Sequence, residues 1–147
     1  KGNLRFILNK AQEFGIDNLI HYIGFIEDTE IPYLYAQALA LVMPTYFGPT
    51  NIPPLEAFAV GCPVLYSDLP RLRQQFEGST ICLKLDNPES LCQGLLKILK
   101  GGPEISAMVE NGFKKIESLV NEDEGRWSKL KSIFDDFAIK LKCWKQA

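Results

Sequence analysis

Features that mark several specialised protein classes are scarce or absent in this chain. It has a single histidine, His21, and no apolar run approaches the ~20 residues that a transmembrane helix needs. Sixteen basic and eighteen acidic side chains give a net charge of −2, without the basic excess of a general nucleic-acid binder. No signal peptide opens the sequence. It begins at Lys1 rather than at an initiator methionine, so we expect a piece of a longer protein.

Motifs for metal, redox or nucleophilic chemistry are also missing. The four cysteines, Cys62, Cys82, Cys92 and Cys143, have no zinc-type or redox-type spacing, which favours separate reduced thiols in a cytosolic protein. Neither a catalytic triad nor a Walker-type phosphate loop is visible, and no dinucleotide fingerprint has the required spacing. We therefore expect no metal and no bound cofactor.

What the chain does contain is an alternation of helical and strand-like segments. Its 147 residues, 46% of them apolar, suit one globular domain covering residues 1–147. Apolar runs at 38–43 and 62–67 are typical of strands buried on both faces of a parallel sheet. Further strands are predicted at 18–25 and 81–85, and helices at 4–14, 28–37, 53–60, 69–76, 87–99 and 104–119. This order predicts an α/β fold, a doubly wound parallel sheet flanked by helices.

Residues 120–147 are predicted to form a C-terminal amphipathic helix that begins near residue 122. Its apolar stripe steps by three and four residues through Trp127, Leu130, Phe134, Phe137, Leu141 and Trp144. We interpret the stripe as part of the core. Contact with another domain and binding to a membrane surface remain alternatives.

The most informative stretch is PTYFGPTNIPPLEAFAVGCPV, residues 44–64. It leaves a buried strand, turns through Gly48 and enters a helix whose first turn carries two prolines. Free N–H groups at such a helix start suit a phosphate or a polar sugar. Glu56 lies about one turn into the helix, where its two oxygens suit a vicinal diol such as a ribose. Plain helix-dipole and N-cap roles for Glu56, Thr50 and Asn51 are the alternatives.

Three segments in this order resemble the C-terminal, donor-binding domain of GT-B fold glycosyltransferases, in particular the glycosyl transferases group 1, or family four. They are HYIGFIEDTEIPYLYAQALALVMPT, IPPLEAFAVGCPVLYSDLP and LDNPESLCQGLLKIL. The resemblance covers roughly 80 residues directly. It implies a Rossmann-like domain, the C-terminal half of a GT-B fold.

The resemblance also implies which residues bind the donor. Backbone groups of Gly24, Phe25 and Ile26 would approach the nucleotide base, and Glu56 would hold its ribose. The family pairs that glutamate with an earlier one, which would map onto Gly48. Here the loop Gly48, Pro49, Thr50, Asn51 and Ile52 takes the place of that carboxylate near the donor sugar and phosphates.

The implied activity is a retaining transfer of a sugar from a nucleotide-diphosphate sugar to a hydroxyl acceptor. Surface polysaccharide or glycolipid synthesis is the expected setting, in the cytoplasm or at the inner face of the membrane. A sugar or glycolipid acceptor would bind through an N-terminal domain that this chain lacks, so the chain alone would be inactive. A non-catalytic sugar-nucleotide-binding or scaffolding subunit and a GT-B sugar-nucleotide epimerase remain alternatives. No catalytic residue is identified.

Overall fold

The computed structural model describes the backbone of residues 3–48 and 51–144, and the side chains of residues 3–48, 51–122, 125 and 126. The chain divides into two compact units, Lys1–Ile31 and Pro32–Ala147. The predicted apolar stripe from Trp127 to Trp144 lies outside the described side chains.

The first unit begins with helix α1, Leu4–Glu13, which confirms the helix predicted there. Gly15 ends it with a φ of +66°, a conformation that glycine adopts without strain. The N–H of Ile16 then donates to the carbonyl of Ala11 at 3.0 Å, which satisfies one of the free carbonyls at the helix end.

The strand predicted at residues 18–25 is wrong. Asp17–Leu19 form a 3-10 helix, and residues 20–27 have no regular structure. Tyr22 and Phe25 are exposed, Phe25 by 86%. Alternating apolar residues form a strand only where a neighbour supplies the hydrogen-bond ladder. No described strand pairs with this segment.

The second unit contains a parallel three-stranded sheet in the order β1-β2-β3. Its strands are β1, Leu41–Met43; β2, Val64–Ser67; and β3, Ile81–Leu83. In the ladder, Leu41 lies beside Val64, and Leu65 lies beside Ile81. The sheet confirms the predicted α/β class, although each strand is shorter than its apolar run.

Helices connect and cover these strands. Before the sheet comes α2, Ile31–Gln37, and between β1 and β2 comes α3, Ile52–Ala59. Between β2 and β3 lies α4, Pro70–Gln75, and after β3 lies α5, Pro88–Lys100. At the start of α5 the Asn87 side chain accepts a hydrogen bond from the N–H of Glu89 at 3.0 Å. This is an N-cap contact, and it sets the beginning of the helix.

The core has two parts, one on each face of the sheet. Val64 and Tyr66 of β2 belong to a cluster with α3 and α4 residues, whereas Leu65 belongs to a second cluster with Ile98 of α5. Successive residues of a strand point to opposite faces. The continuous apolar run in β2 is therefore buried on both sides, as predicted.

The last helix, α6, spans Pro103–Trp144 without interruption. The break predicted between residues 119 and 122 is wrong, because no glycine or proline occurs there to interrupt the helical hydrogen bonds. The first part of α6 packs closely on α3. A Cβ atom at Gly112 would lie 2.9 Å from Cδ1 of Phe58, so glycine permits this approach.

Candidate functional site

The loops after β1 and β2 border one crevice at the carboxyl ends of these strands. Met43, which ends β1, lies beside Tyr66 of β2, so the two loops leave the sheet at the same edge. The crevice has a volume of about 710 Å3. It is lined by residues 46–48 of the loop after β1, by Leu69 of the loop after β2, and by residues 70–72 and Gln75 of α4. Open parallel sheets bind their ligands at this edge. The crevice is therefore the first place to look for a site.

Two aromatic rings stand at the mouth of the crevice. Tyr46 is 76% exposed and Phe47 is 84% exposed, which is unusual for large aromatic side chains. The loop that carries them is bent by Thr45, whose hydroxyl donates to the carbonyl of Phe47 at 2.6 Å. The rings are thus presented to solvent by a local turn rather than held in the core.

One of two nearby arginines is available to a ligand. Arg71 lines the crevice and is exposed. Arg73 lies on the same helix, but its guanidinium is paired with Asp68, with 2.7 Å between Nε and Oδ1. This hydrogen bond raises the pKa of Arg73. Of these two residues, only Arg71 presents its charge to the crevice.

Gly48 and Asn51 are fitted closely to each other. Gly48 has a φ of +146°, and a Cβ atom there would lie 2.6 Å from Nδ2 of Asn51. The same Nδ2 atom donates a hydrogen bond to the hydroxyl of Tyr66, a residue that is only 1% exposed. The side chain of Asn51 therefore fills the space that any side chain at position 48 would need. Pro49 and Thr50, also predicted to bind the donor, lie outside the described residues.

The start of α3 offers two backbone donors. Asn51 occupies the N-cap position, but its side chain makes no capping hydrogen bond. The N–H groups of Asn51 and Ile52 have no acceptor within the helix, whereas Pro53 and Pro54 have no N–H to offer. The N-cap interpretation of Asn51 is thus right in position and wrong in hydrogen bonding. An anion at this helix start would meet two N–H groups.

Glu56 lies in the second turn of α3 and is half-buried. The hydroxyl of Tyr35, on α2, donates a hydrogen bond to its Oε2 atom at 3.3 Å. Burial, and then the charge and hydrogen bond of Glu56, raise the pKa of Tyr35 to about 12. Helix-dipole effects fall off beyond the first turn. A contact with another element therefore describes Glu56 better than a dipole role.

The remaining predicted residues lie in the first unit. Gly24 has a φ of +71°, in the left-handed region that glycine adopts without strain. Phe25 is exposed and Ile26 is half-buried. The lone His21 is exposed as well. The contact of this segment with a nucleotide base stays a prediction.

Sequence reasoning missed two residues that touch the predicted site, Tyr35 and Tyr66. Each tyrosine is set among apolar residues, in IPYLYAQ and CPVLYS. A buried tyrosine usually finds a partner for its hydroxyl, and this was the available signal. The identity of that partner, Glu56 or Asn51, depends on tertiary packing and is not written in either segment.

Two features are absent from the part of the chain that the structure describes. No described helix is both long and apolar enough to cross a membrane. Within the same part of the chain, no three His, Cys, Asp or Glu side chains are grouped so that they could hold a metal ion.

Known proteins resemble this chain over between 36% and 88% of its length. An O-antigen chain mannosyltransferase of Escherichia coli is 40% identical over 53 residues, 36% of this chain and 14% of that protein. An uncharacterized glycosyltransferase of Methanocaldococcus jannaschii is 26% identical over 118 residues, 78% of this chain and 30% of that protein.

The solved structure of a sucrose-phosphate synthase from Thermosynechococcus elongatus superposes with a TM-score of 0.72 at 20% identity. The superposition covers 88% of this chain and 34% of that one. At this identity the likeness shows a shared GT-B type of fold. This chain spans about a third or less of the length of each of these three proteins.

The family described as glycosyl transferases group 1 matches residues 1–115, well over half of the chain. The parallel sheet, the crevice at its carboxyl edge and the α3 glutamate lie within the matched part. The chain therefore belongs to the glycosyl transferases group 1 family.

Proposed function

We propose that this chain binds the donor of a retaining glycosyltransferase, which moves a sugar from a nucleotide-diphosphate sugar to a hydroxyl acceptor. Glu56 holds the ribose of the nucleotide, and the loop from Gly48 to Ile52 faces the sugar and the phosphates. Gly24, Phe25 and Ile26 approach the base. No metal ion takes part in binding. The acceptor, a sugar or a glycolipid, is bound by a part of the protein outside this chain.

The observation that carries this proposal is the state of Glu56. One of its oxygens, Oε2, accepts from Tyr35, and Oε1 has no hydrogen-bond partner among the described residues. A half-buried carboxylate with a free oxygen can accept hydrogen bonds from two neighbouring hydroxyls, and its charge makes these hydrogen bonds stronger. Glu56 also lies one turn inside the helix whose start offers the N–H groups of Asn51 and Ile52. A ribose with an attached phosphate can use both: the carboxylate accepts from the ribose hydroxyls, and the N–H groups donate to the phosphate.

The relatives narrow the choice of donor and setting. The Escherichia coli relative is an O-antigen chain mannosyltransferase. A nucleotide-activated mannose is therefore the donor to test first, and cytoplasmic assembly of a surface polysaccharide is the proposed setting. The catalytic contribution of the protein would be placement of the donor and stabilisation of the leaving diphosphate.

Calorimetric titration with UDP, GDP and ADP, and then with their sugar conjugates, tests the role of Glu56. We expect Glu56→Ala to weaken binding of the preferred nucleotide by about 1–3 kcal/mol, the effect of losing a charged hydrogen bond. Glu117→Ala, an exposed glutamate on α6, is the matched control and should bind like the wild type. A folded Glu56→Ala variant with unchanged affinity would contradict the proposal.

A second function, a sugar-nucleotide-binding subunit without catalysis, is favoured by one observation. Position 48 is a glycine, so the carboxylate that the family pattern has there is absent, and a Cβ atom at that position would lie 2.6 Å from Nδ2 of Asn51. Product analysis on the protein at its full natural length separates the two functions. A new glycoside supports the transferase, and binding without any product across donors and acceptors supports the subunit.

A further inference from the structure

Tyr35 connects two parts of the second unit. Its ring packs against the core cluster that contains Ala57, Cys62 and Val64. Its hydroxyl reaches out of that cluster to Oε2 of Glu56, 21 positions further along the chain, at 3.3 Å. The ring is thus anchored, and the hydroxyl is fixed in space relative to α3.

The contact constrains a side chain that is otherwise mobile. A glutamate has three rotatable bonds, and ordering such a side chain costs free energy. A fixed donor on Oε2 orders the carboxylate of Glu56 before any ligand arrives, which lowers the cost of binding. It also leaves Oε1, which has no hydrogen-bond partner among the described residues.

The tyrosine remains a donor under ordinary conditions. Its burial and the charge of Glu56 keep the pKa of Tyr35 near 12, so the phenol stays protonated at neutral pH. A neutral phenol donates its one proton, and a carboxylate only accepts, so the direction of the hydrogen bond is fixed. The pair therefore has one arrangement rather than two.

We infer that Tyr35 is a positioning residue, which orients the carboxylate of Glu56 so that its free oxygen receives the ribose diol of the nucleotide donor. The inference rests on the proposed function, because it needs Glu56 to bind the ribose. It assigns Tyr35 no contact with the ligand. A tyrosine that only fills space in the core would contribute to the stability of the fold and not to the affinity for the ribose diol.

The test uses Tyr35→Phe, which keeps the ring in the core and removes only the hydroxyl. Tyr33→Phe is the matched control, since Tyr33 lies on the same helix, is 70% exposed and has no hydrogen bond from its hydroxyl within the described residues. Each variant is made in the wild type and in Glu56→Ala. Calorimetry then measures the affinity for whichever of UDP, GDP and ADP binds the wild type best, and for the 2′,3′-dideoxy form of that nucleotide.

We expect Tyr35→Phe to weaken binding of the ribonucleotide roughly threefold to tenfold, the effect of one lost hydrogen bond. In the Glu56→Ala background, and with the dideoxy nucleotide, its effect should stay within about twofold, the usual limit of additivity. Tyr33→Phe should bind like the wild type in every case.

Three results overturn the inference. One is an unchanged affinity for the ribonucleotide in Tyr35→Phe while Glu56→Ala weakens binding. Another is an equal loss with the dideoxy nucleotide, and the third is an equal loss in the Glu56→Ala background; both assign Tyr35 to packing alone. If Glu56→Ala itself has no effect, or if the wild type binds none of the nucleotides, the proposed function fails and the inference falls with it.

Discussion

Replacing Gly48 by alanine should destabilise the folded state by way of Asn51. A Cβ atom at position 48 would lie 2.6 Å from Nδ2 and 2.7 Å from Cγ of Asn51, distances that real Cβ atoms do not show. The amide of Asn51 must therefore move. When it does, the hydroxyl of Tyr66, buried in the core, loses the hydrogen bond that it receives.

The expected cost has two parts. A non-glycine residue at a φ of +146° costs about 1–2 kcal/mol, and loss of a hydrogen bond to a buried hydroxyl costs about 1–2 kcal/mol more. Gly102→Ala is the matched control, because Gly102 has a φ of +107° and no atom within 4 Å of its Cβ position. That variant bears only the backbone cost. Gly48→Ala should thus lose about 1–2 kcal/mol more than Gly102→Ala.

Urea denaturation followed by circular dichroism measures both losses in free energy of unfolding. Repeating Gly48→Ala in an Asn51→Ala background removes the atoms that clash, so there its cost should fall to that of Gly102→Ala. The reasoning is refuted if Gly48→Ala and Gly102→Ala cost the same in the wild type. It is refuted equally if Asn51→Ala leaves the cost of Gly48→Ala unchanged.

Three further predictions follow from the core and from the buried titratable groups. Gly94→Ala places a Cβ 2.6 Å from Cδ2 of Leu65; overpacking of about 1–3 kcal/mol should outweigh a helix-propensity gain of about 1 kcal/mol, and a more stable variant in urea denaturation would contradict this. The pKa of Tyr35 is raised from about 10 to about 12 in the folded state, because folding favours the protonated phenol. This contribution to stability is fully present below pH ~10 and is lost as the pH rises from about 10 to about 12. Tyr35→Phe should therefore lose less free energy of unfolding over that interval, and an identical pH profile would be evidence against the contact. Burial raises the pKa of the Cys62 thiol, whereas Cys92 is exposed. Mass spectrometry should therefore find Cys92 alkylated before Cys62 in the native protein, and equal rates at these two cysteines would count against the burial of Cys62.

The sheet and its helices could be predicted because several local signals agree. The run at 62–67 is apolar without alternating polar residues, a pattern that is typical of a strand buried on both faces. The strand β2 is buried in this way. Pro53 and Pro54 permit a helix only if they fall in its first turn, and α3 begins at Ile52. Each of these conclusions depends on residues close together in the sequence.

Features that depend on distant residues could not be predicted. Residues 18–25 have the composition of a strand, but pairing needs a neighbour that the segment itself cannot indicate. Asn51 has the residue type and the position of an N-cap, yet a tyrosine 15 positions further on competes for its side chain. The same is true of Tyr35 and Glu56, separated by 21 positions. The sheet and its helices could therefore be predicted better than the hydrogen bonds between distant residues.

Gly48, Asn51 and Tyr66 are consistent with one another only as a set. Tyr66 is buried and needs a partner for its hydroxyl, Asn51 supplies that partner, and the amide of Asn51 then occupies the space beside Gly48. A side chain at position 48, including the glutamate of the family pattern, would displace the amide of Asn51 and so remove its hydrogen bond to Tyr66. The glycine at position 48 is therefore matched to the positions of Asn51 and Tyr66, and restoring the carboxylate there would require these residues to move. Among the described residues, the N–H groups of Asn51 and Ile52 are the backbone donors that this helix start offers to a ligand, and the hydrogen bond to Tyr66 helps to fix the position of Asn51.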